Sequence, residues 1–167
     1  ADAVRQGKAL YIAISNYSAE RAGQLAALLT EERVPLVLHQ PRYSIFDRRI
    51  EREGVIDQAV ADNTGLIVYS PLAQGLLTDK YLGGTVPAGA RAEQSDFLAA
   101  DDISPEDIER ATRLNELARQ RGQSRAQLAL QWVLRRPEIT SALIGASSVD
   151  QLRHNQAALD GEPLTDD

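Results

Sequence analysis

Cysteine and methionine are absent from this 167-residue chain, and aromatic residues make up only 5% of it. Without cysteine there is neither a disulfide framework nor a thiolate metal site, and no metal ligand set stands out. Basic residues are in deficit, with 18 Lys and Arg against 24 Asp and Glu and a formal net charge of −6. That balance points away from a nucleic-acid or membrane surface. No apolar run reaches the roughly 18 residues of a spanning helix, and no charged-then-apolar leader opens the chain. The expectation is a cytoplasmic protein without a membrane or nucleic-acid partner. The 43% hydrophobic content is enough for one ordinary domain with a core.

Both ends read as cuts. Residues 1–8 have the form of a last helical turn closed by a C-cap glycine, Gly7, with no helix before it. Residues 163–167 read as a helix start, with Thr165 as N-cap and acids behind it, and no helix follows. The expectation is a fragment of a longer protein, one unit over residues 1–167, truncated at both ends.

Four short apolar runs alternate with helical patterns. Residues 10–14 read as a strand ended by Ser15-Asn16-Tyr17, and Ser18 as the cap of a helix with Leu25, Leu28 and Leu29 at helical spacing. Residues 36–39 form a second strand, ended by Gln40-Pro41. Asp47 caps a helix whose stripe is Ile50, Val55, Ile56 and Val60. Residues 66–69 read as a third strand, buried on both faces. Ser104-Pro105-Glu106-Asp107 opens a helix that Gly122 breaks and Ser124 restarts, with Trp132 in its core-facing side. Residues 141–144 are the fourth strand, and Ser148 with Gln151 makes a capping-box pattern for a last helix. Strand and helix thus alternate four times, an α/β pattern with a parallel sheet. No Gly-x-Gly-x-x-Gly turn follows the first strand, which argues against a dinucleotide-binding Rossmann domain. A (β/α)8 TIM barrel takes about 250 residues, so four units are half of one.

The chain is organised around residues 64–81. A buried strand stops at Ser70-Pro71, and a permissive loop, Leu72-Ala73-Gln74-Gly75, follows with backbone amides free to face a ligand. Loops after parallel strands are where α/β proteins place ligand sites. The run Tyr69-Ser70-Pro71-Leu72-Ala73-Gln74-Gly75, followed by Lys80-Tyr81, closely resembles the pyrophosphate loop of the aldo-keto reductase family. The branch it resembles holds bacterial glyceraldehyde 3-phosphate reductases and potassium-channel β subunits. The resemblance covers essentially the whole chain in order and implies the C-terminal four βα units of a TIM barrel.

The resemblance implies an NADP(H) site. Tyr69 would stack on the nicotinamide, while Ser70, Pro71, Leu72, Gln74 and Gly75 line the pyrophosphate. Ser15-Asn16 read alone as a turn with a capping serine. Within a run similar to the family's fifth strand they would bond the nicotinamide carboxamide, which needs both donors and acceptors. Ala13 stands where the family usually has Gly. Gln40 is a polar strand end or, by resemblance, a third carboxamide ligand; His39 reads as structural. Lys80 and Arg91 are solvated charges or, by resemblance, a phosphate clamp. Gly145, Ser147 and Gln151 open the last helix, where a 2′-phosphate would sit, and Asn155 would reach the adenine. His154 stands where the branch usually has Glu, and some relatives carry Arg where this chain has Gln151.

The family's catalytic Asp, Tyr, Lys and His lie on units upstream of those present, so no catalytic residue is named here. The implied function is the cofactor-binding half of an NADPH-dependent reductase of aldehydes or ketones, inactive by itself. The alternative is a non-catalytic nucleotide-carrying module like the channel β subunits. The expected partners are a small-molecule carbonyl substrate and further copies of the chain, since a half barrel leaves two strand edges unpaired.

Overall fold

The computed structural model describes residues 1–78 and 105–164. Its elements are α1 (Asp2–Arg5), β1 (Ile12–Ser15), α2 (Ala19–Glu31), β2 (Leu36–Gln40), α3 (Arg49–Arg52), α4 (Val55–Ala61), β3 (Gly65–Val68), α5 (Pro105–Gln120), α6 (Arg125–Leu134), β4 (Ile139–Ala142) and α7 (Val149–Gln156). Ala73–Gly75 and Ala157–Asp160 form 3-10 turns.

The four strands form one sheet in the order β1-β2-β3-β4, and every pairing is parallel. Parallel neighbours need a crossover, and a helix lies in each one. A right-handed crossover repeated in one direction puts its helices on one face, whereas a doubly wound sheet reverses its strand order. This unreversed run of four is a partial (β/α)8 barrel. The register sets Ser15 against Gln40 and His39 against Leu66, and Val68 pairs with Ala142.

The core lies between the sheet and its helices. Leu66, Val68 and Ile139 pack against Ile50, Val55, Ile56, Ala59 and Val133, while Ile14 and Leu36 pack against Ala22 and Leu29. Several expectations shift here. Leu28 and Val60 sit at helical spacing, yet they are 58% and 60% exposed, and Ala59 takes the inner place beside Ile56. β3 is buried on one face only, since Leu66 and Val68 are fully buried while Gly65 and Ile67 are half-exposed. β1 begins two residues after its expected start, leaving Leu10 82% exposed. β4 starts two residues before its expected start, because buried Ile139 pairs with Leu66. The helix expected after Asp47 is two helices, since Gly54 stands between them in the left-handed region at φ 72°. Arg48 and not Asp47 stands at the N-cap of α3, with no side-chain cap bond, although Asp47 Oδ1 accepts from the Arg49 amide at 3.3 Å. Trp132 is partly buried, stacked on Tyr43 with ring centroids 5.2 Å apart.

Ser18, Ser124 and Ser148 each accept from the amide three residues on, so the three serine caps form. Ser124 and Gln127 complete a reciprocal capping box. Gly7 closes α1 at φ 69°, and Gly122 ends the α5 segment at φ 68°. Among the described residues no helix is long and apolar enough to cross a membrane.

Candidate functional site

The C-terminal ends of parallel strands share one side of the sheet, and three of them are tied together by hydrogen bonds. Ser15 Oγ donates to the Gln40 carbonyl at 2.8 Å, and the Asn16 amide donates to the same oxygen at 3.2 Å. Pairing of the second and third strands continues past their ends, with Tyr69 N donating to Pro41 O (3.1 Å) and Tyr43 N to Tyr69 O (3.3 Å). The Tyr69 hydroxyl then donates to Asn16 Oδ1 at 3.1 Å, from the end of β3 to the end of β1. The side chains of Ser15, Asn16 and Tyr69 and the main-chain carbonyl of Gln40 are therefore joined along one rim, with Ser15 and Asn16 exposed and Gln40 and Tyr69 half-buried. Asn16 holds φ 58°, a conformation Asn tolerates better than most residues.

The loop after Tyr69 is wound tightly. Ser70, Ala73 and Gln74 have φ of 55°, 46° and 57°, and Gly75 has 105°. Left-handed backbone at a non-glycine residue costs roughly 1–2 kcal/mol, so three such residues must be held by their surroundings. The hold is Leu76, Leu77 and Ala73, buried against Ala129 of α6. Two of the four amides expected to face a ligand, those of Ala73 and Gly75, are engaged, and those of Leu76, Leu77 and Thr78 after them also donate within the loop, because successive tight turns close on themselves. Pro71 is buried, and Leu72, Gln74 and Gly75 are half-buried. Lys80 and Arg91 lie outside the described residues.

The loop after β4 presents Gly145, Ala146, Ser147 and Ser148, all exposed, at the start of α7. The expected capping box is half present there. Ser148 accepts from the Gln151 amide at 3.1 Å, but Gln151 Oε1 takes the Ser147 amide (2.7 Å) and the Ser147 hydroxyl (3.0 Å). Asn155 is buried, and its Nδ2 has no hydrogen-bond partner among the described residues. His154 is held on the cap of α6, with Nε2 2.8 Å from Ser124 Oγ and its carbonyl accepting from Gln127 at 2.9 Å.

His39 is buried and accepts the Tyr17 amide at Nε2 (3.2 Å), and burial lowers its pKa below the ordinary histidine value. A neutral ring with an unprotonated Nε2 suits a structural acceptor. Arg125 went unnoticed in the sequence. It is buried, and its guanidinium donates to the carbonyls of Thr78 and Ala111, joining the end of the Tyr69 loop to α5. Its only signal was a cation inside the apolar run that follows a serine cap. No group of three or more His, Asp or Glu among the described residues could hold a metal ion.

The profile of the Aldo/keto reductase family matches residues 1–167. The L-glyceraldehyde 3-phosphate reductase of Escherichia coli (strain K12) is 43% identical over 163 residues, covering 95% of this chain and 47% of that protein. A probable voltage-gated potassium channel subunit beta of Oryza sativa subsp. japonica is 30% identical over 164 residues, covering 96% and 50%. The Protein tas of Escherichia coli (strain K12) is 36% identical over 157 residues, covering 93% and 44%. The chain spans about half the length of the curated relatives it matches. With four parallel strands in unreversed order and a profile match along its whole length, this chain belongs to the aldo/keto reductase family.

Proposed function

We propose that this chain is the cofactor-cradling part of an NADPH-dependent reductase of small aldehydes or ketones, working in the cytoplasm as a homo-oligomer. The observation that carries the reading is the rim in which the Tyr69 hydroxyl meets Asn16 Oδ1 beside Ser15 and Gln40. A nicotinamide is a flat ring bearing a carboxamide, and this rim offers an aromatic side chain beside groups that can donate and accept. The buried, unpartnered Asn155 Nδ2 fits an acceptor such as an adenine ring nitrogen. NADPH, when bound, supplies the hydride.

In this reading Tyr69 supports the nicotinamide, and Ser15, Asn16 and Gln40 orient its carboxamide. Ser70, Pro71, Leu72, Gln74 and Gly75 pass along the pyrophosphate, with Lys80 and Arg91 as its cationic clamp. Gly145, Ser147 and Gln151 receive the 2′-phosphate. The proton donor comes from outside this chain, so the chain alone turns over no carbonyl. The channel-subunit reading uses the same residues, and no observation favours it separately; the higher identity is to the reductase.

Titration with NADPH and NADH at one salt concentration tests the reading. Both Ser147 donors are already bonded to Gln151, so an anion exchanges bonds there rather than adding them. A preference of about 2 kcal/mol, about 30-fold, is expected for NADPH. Ser147→Ala should weaken NADPH and leave NADH nearly unchanged. Equal dissociation constants would remove this loop from the site.

A further inference from the structure

Tyr43 lies three residues past Gln40, and its ring is fully buried. A phenylalanine would serve the packing alone, yet the hydroxyl here sits in a polar cluster. It donates to Glu51 Oε1 and accepts from Arg135 Nη1 at 3.2 Å. Glu51, with its side chain 11% exposed, also takes two hydrogen bonds from Arg48, at 2.9 and 2.6 Å. Arg135 lies 3.8 Å from the Trp132 ring centroid and donates to the Trp132 carbonyl at 2.6 Å. Burial, then the bond to Glu51, push the Tyr43 pKa up to about 12, so the hydroxyl keeps its proton as a donor.

Ion pairs withdrawn from water add little net stability relative to apolar packing of the same shape, and their best-attested use is to specify register. Here Glu51 and Arg135 are mostly buried, at 11% and 22% exposure, while Arg48 reaches solvent. The register at stake here is short. Among the described residues, only the backbone bonds from Tyr43 N to Tyr69 O and from Tyr69 N to Pro41 O join the two strand ends beyond β2 and β3. Those bonds decide where Tyr69 stands relative to Asn16. The cluster ties the Tyr43 side of this junction to α3 through Glu51 and to the C-terminal end of α6 through Trp132 and Arg135.

We propose that Tyr43 is a positioning residue: its hydroxyl, gripped by Glu51 and Arg135, sets the register of residues 41–43 against Tyr69 and so holds Tyr69 over the cofactor site. The assignment of that site rests on the function proposed above; the register device does not. Tyr43→Phe keeps the ring on Trp132 and removes only the grip. Amide hydrogen exchange at positions 43 and 69 should then speed up at least about tenfold, as expected once the hydroxyl's two charge-assisted bonds are lost, while the β1 and α2 amides keep their rates. The NADPH dissociation constant should rise severalfold. Glu51→Gln, which keeps an acceptor for the hydroxyl, should give a smaller change in both readouts. Unchanged exchange at 43 and 69, or the same acceleration throughout the sheet, would overturn the proposal. Local acceleration in a protein whose parent form binds no NADPH would support the register device and overturn the cofactor reading.

Discussion

Asn16 shows how a single residue shapes the site. Its φ of 58° turns the chain at the end of β1 and aims a carboxamide at the Tyr69 hydroxyl. A β-branched residue is strained in that region, whereas glycine is not. Asn16→Val should therefore be less stable than Asn16→Gly by about 1–2 kcal/mol, read from urea unfolding. His39 adds a pH dependence. Its folded pKa is lowered by burial from the ordinary 6.5, so below that value the unfolded chain binds a proton that the folded chain refuses. Stability should fall as pH drops below 6.5, by at most about 1.4 kcal/mol per pH unit. The fall levels off once pH passes below the folded pKa. His39→Gln should flatten the slope of unfolding free energy between pH 6.5 and 5.5; an unchanged slope would assign it to other groups.

At the scale of elements, the loops around the site are held by helix ends. Ser124 accepts the Gln127 amide, and its hydroxyl meets His154 of α7, so one cap joins two helices. Ser124→Ala should cost about 1 kcal/mol in thermal or urea unfolding, and Ser124→Asp should recover part of it. Gly54 divides α3 from α4 in a left-handed turn, where an added Cβ would meet nothing closer than Ala19 Cβ at 4.0 Å. Gly54→Ala should thus lose only the backbone term, about 1 kcal/mol, measured the same way.

At the largest scale, the described residues form a sheet with two edges. Among the described residues β1 pairs only with β2, and β4 only with β3. Beside these edges stand Tyr11, 69% exposed, and Leu143, 54% exposed. Unpaired strand edges flanked by apolar side chains associate. The chain should form oligomers whose mass rises with concentration in light scattering. A Tyr11→Lys and Leu143→Lys double variant should shift it toward the monomer, because an edge lysine would have to lose its hydration to pair. A concentration-independent monomer for the parent chain would show that these edges are covered by other means.

Much of the architecture was legible in the residues because it depends on near neighbours. Apolar runs ended by polar residues marked the four strands, serine before a helical stripe marked Ser18, Ser124 and Ser148, and Gly122 marked the break between α5 and α6. The order of strand and helix determined the parallel class, and the quoted motifs led to the family. Tertiary structure alone decided which side chains meet. Tyr43 and Arg135 stand 92 positions apart, and no local period links them. Gln151 turns to Ser147 rather than completing a capping box, because Ser147 offers it both an amide and a hydroxyl donor. The amides of the Tyr69 loop close on one another because Leu76 and Leu77 are pulled into the core, which winds the backbone between them and the strand. Local sequence sets what each segment prefers to be; the register between strands, and the burial it imposes, select the partners.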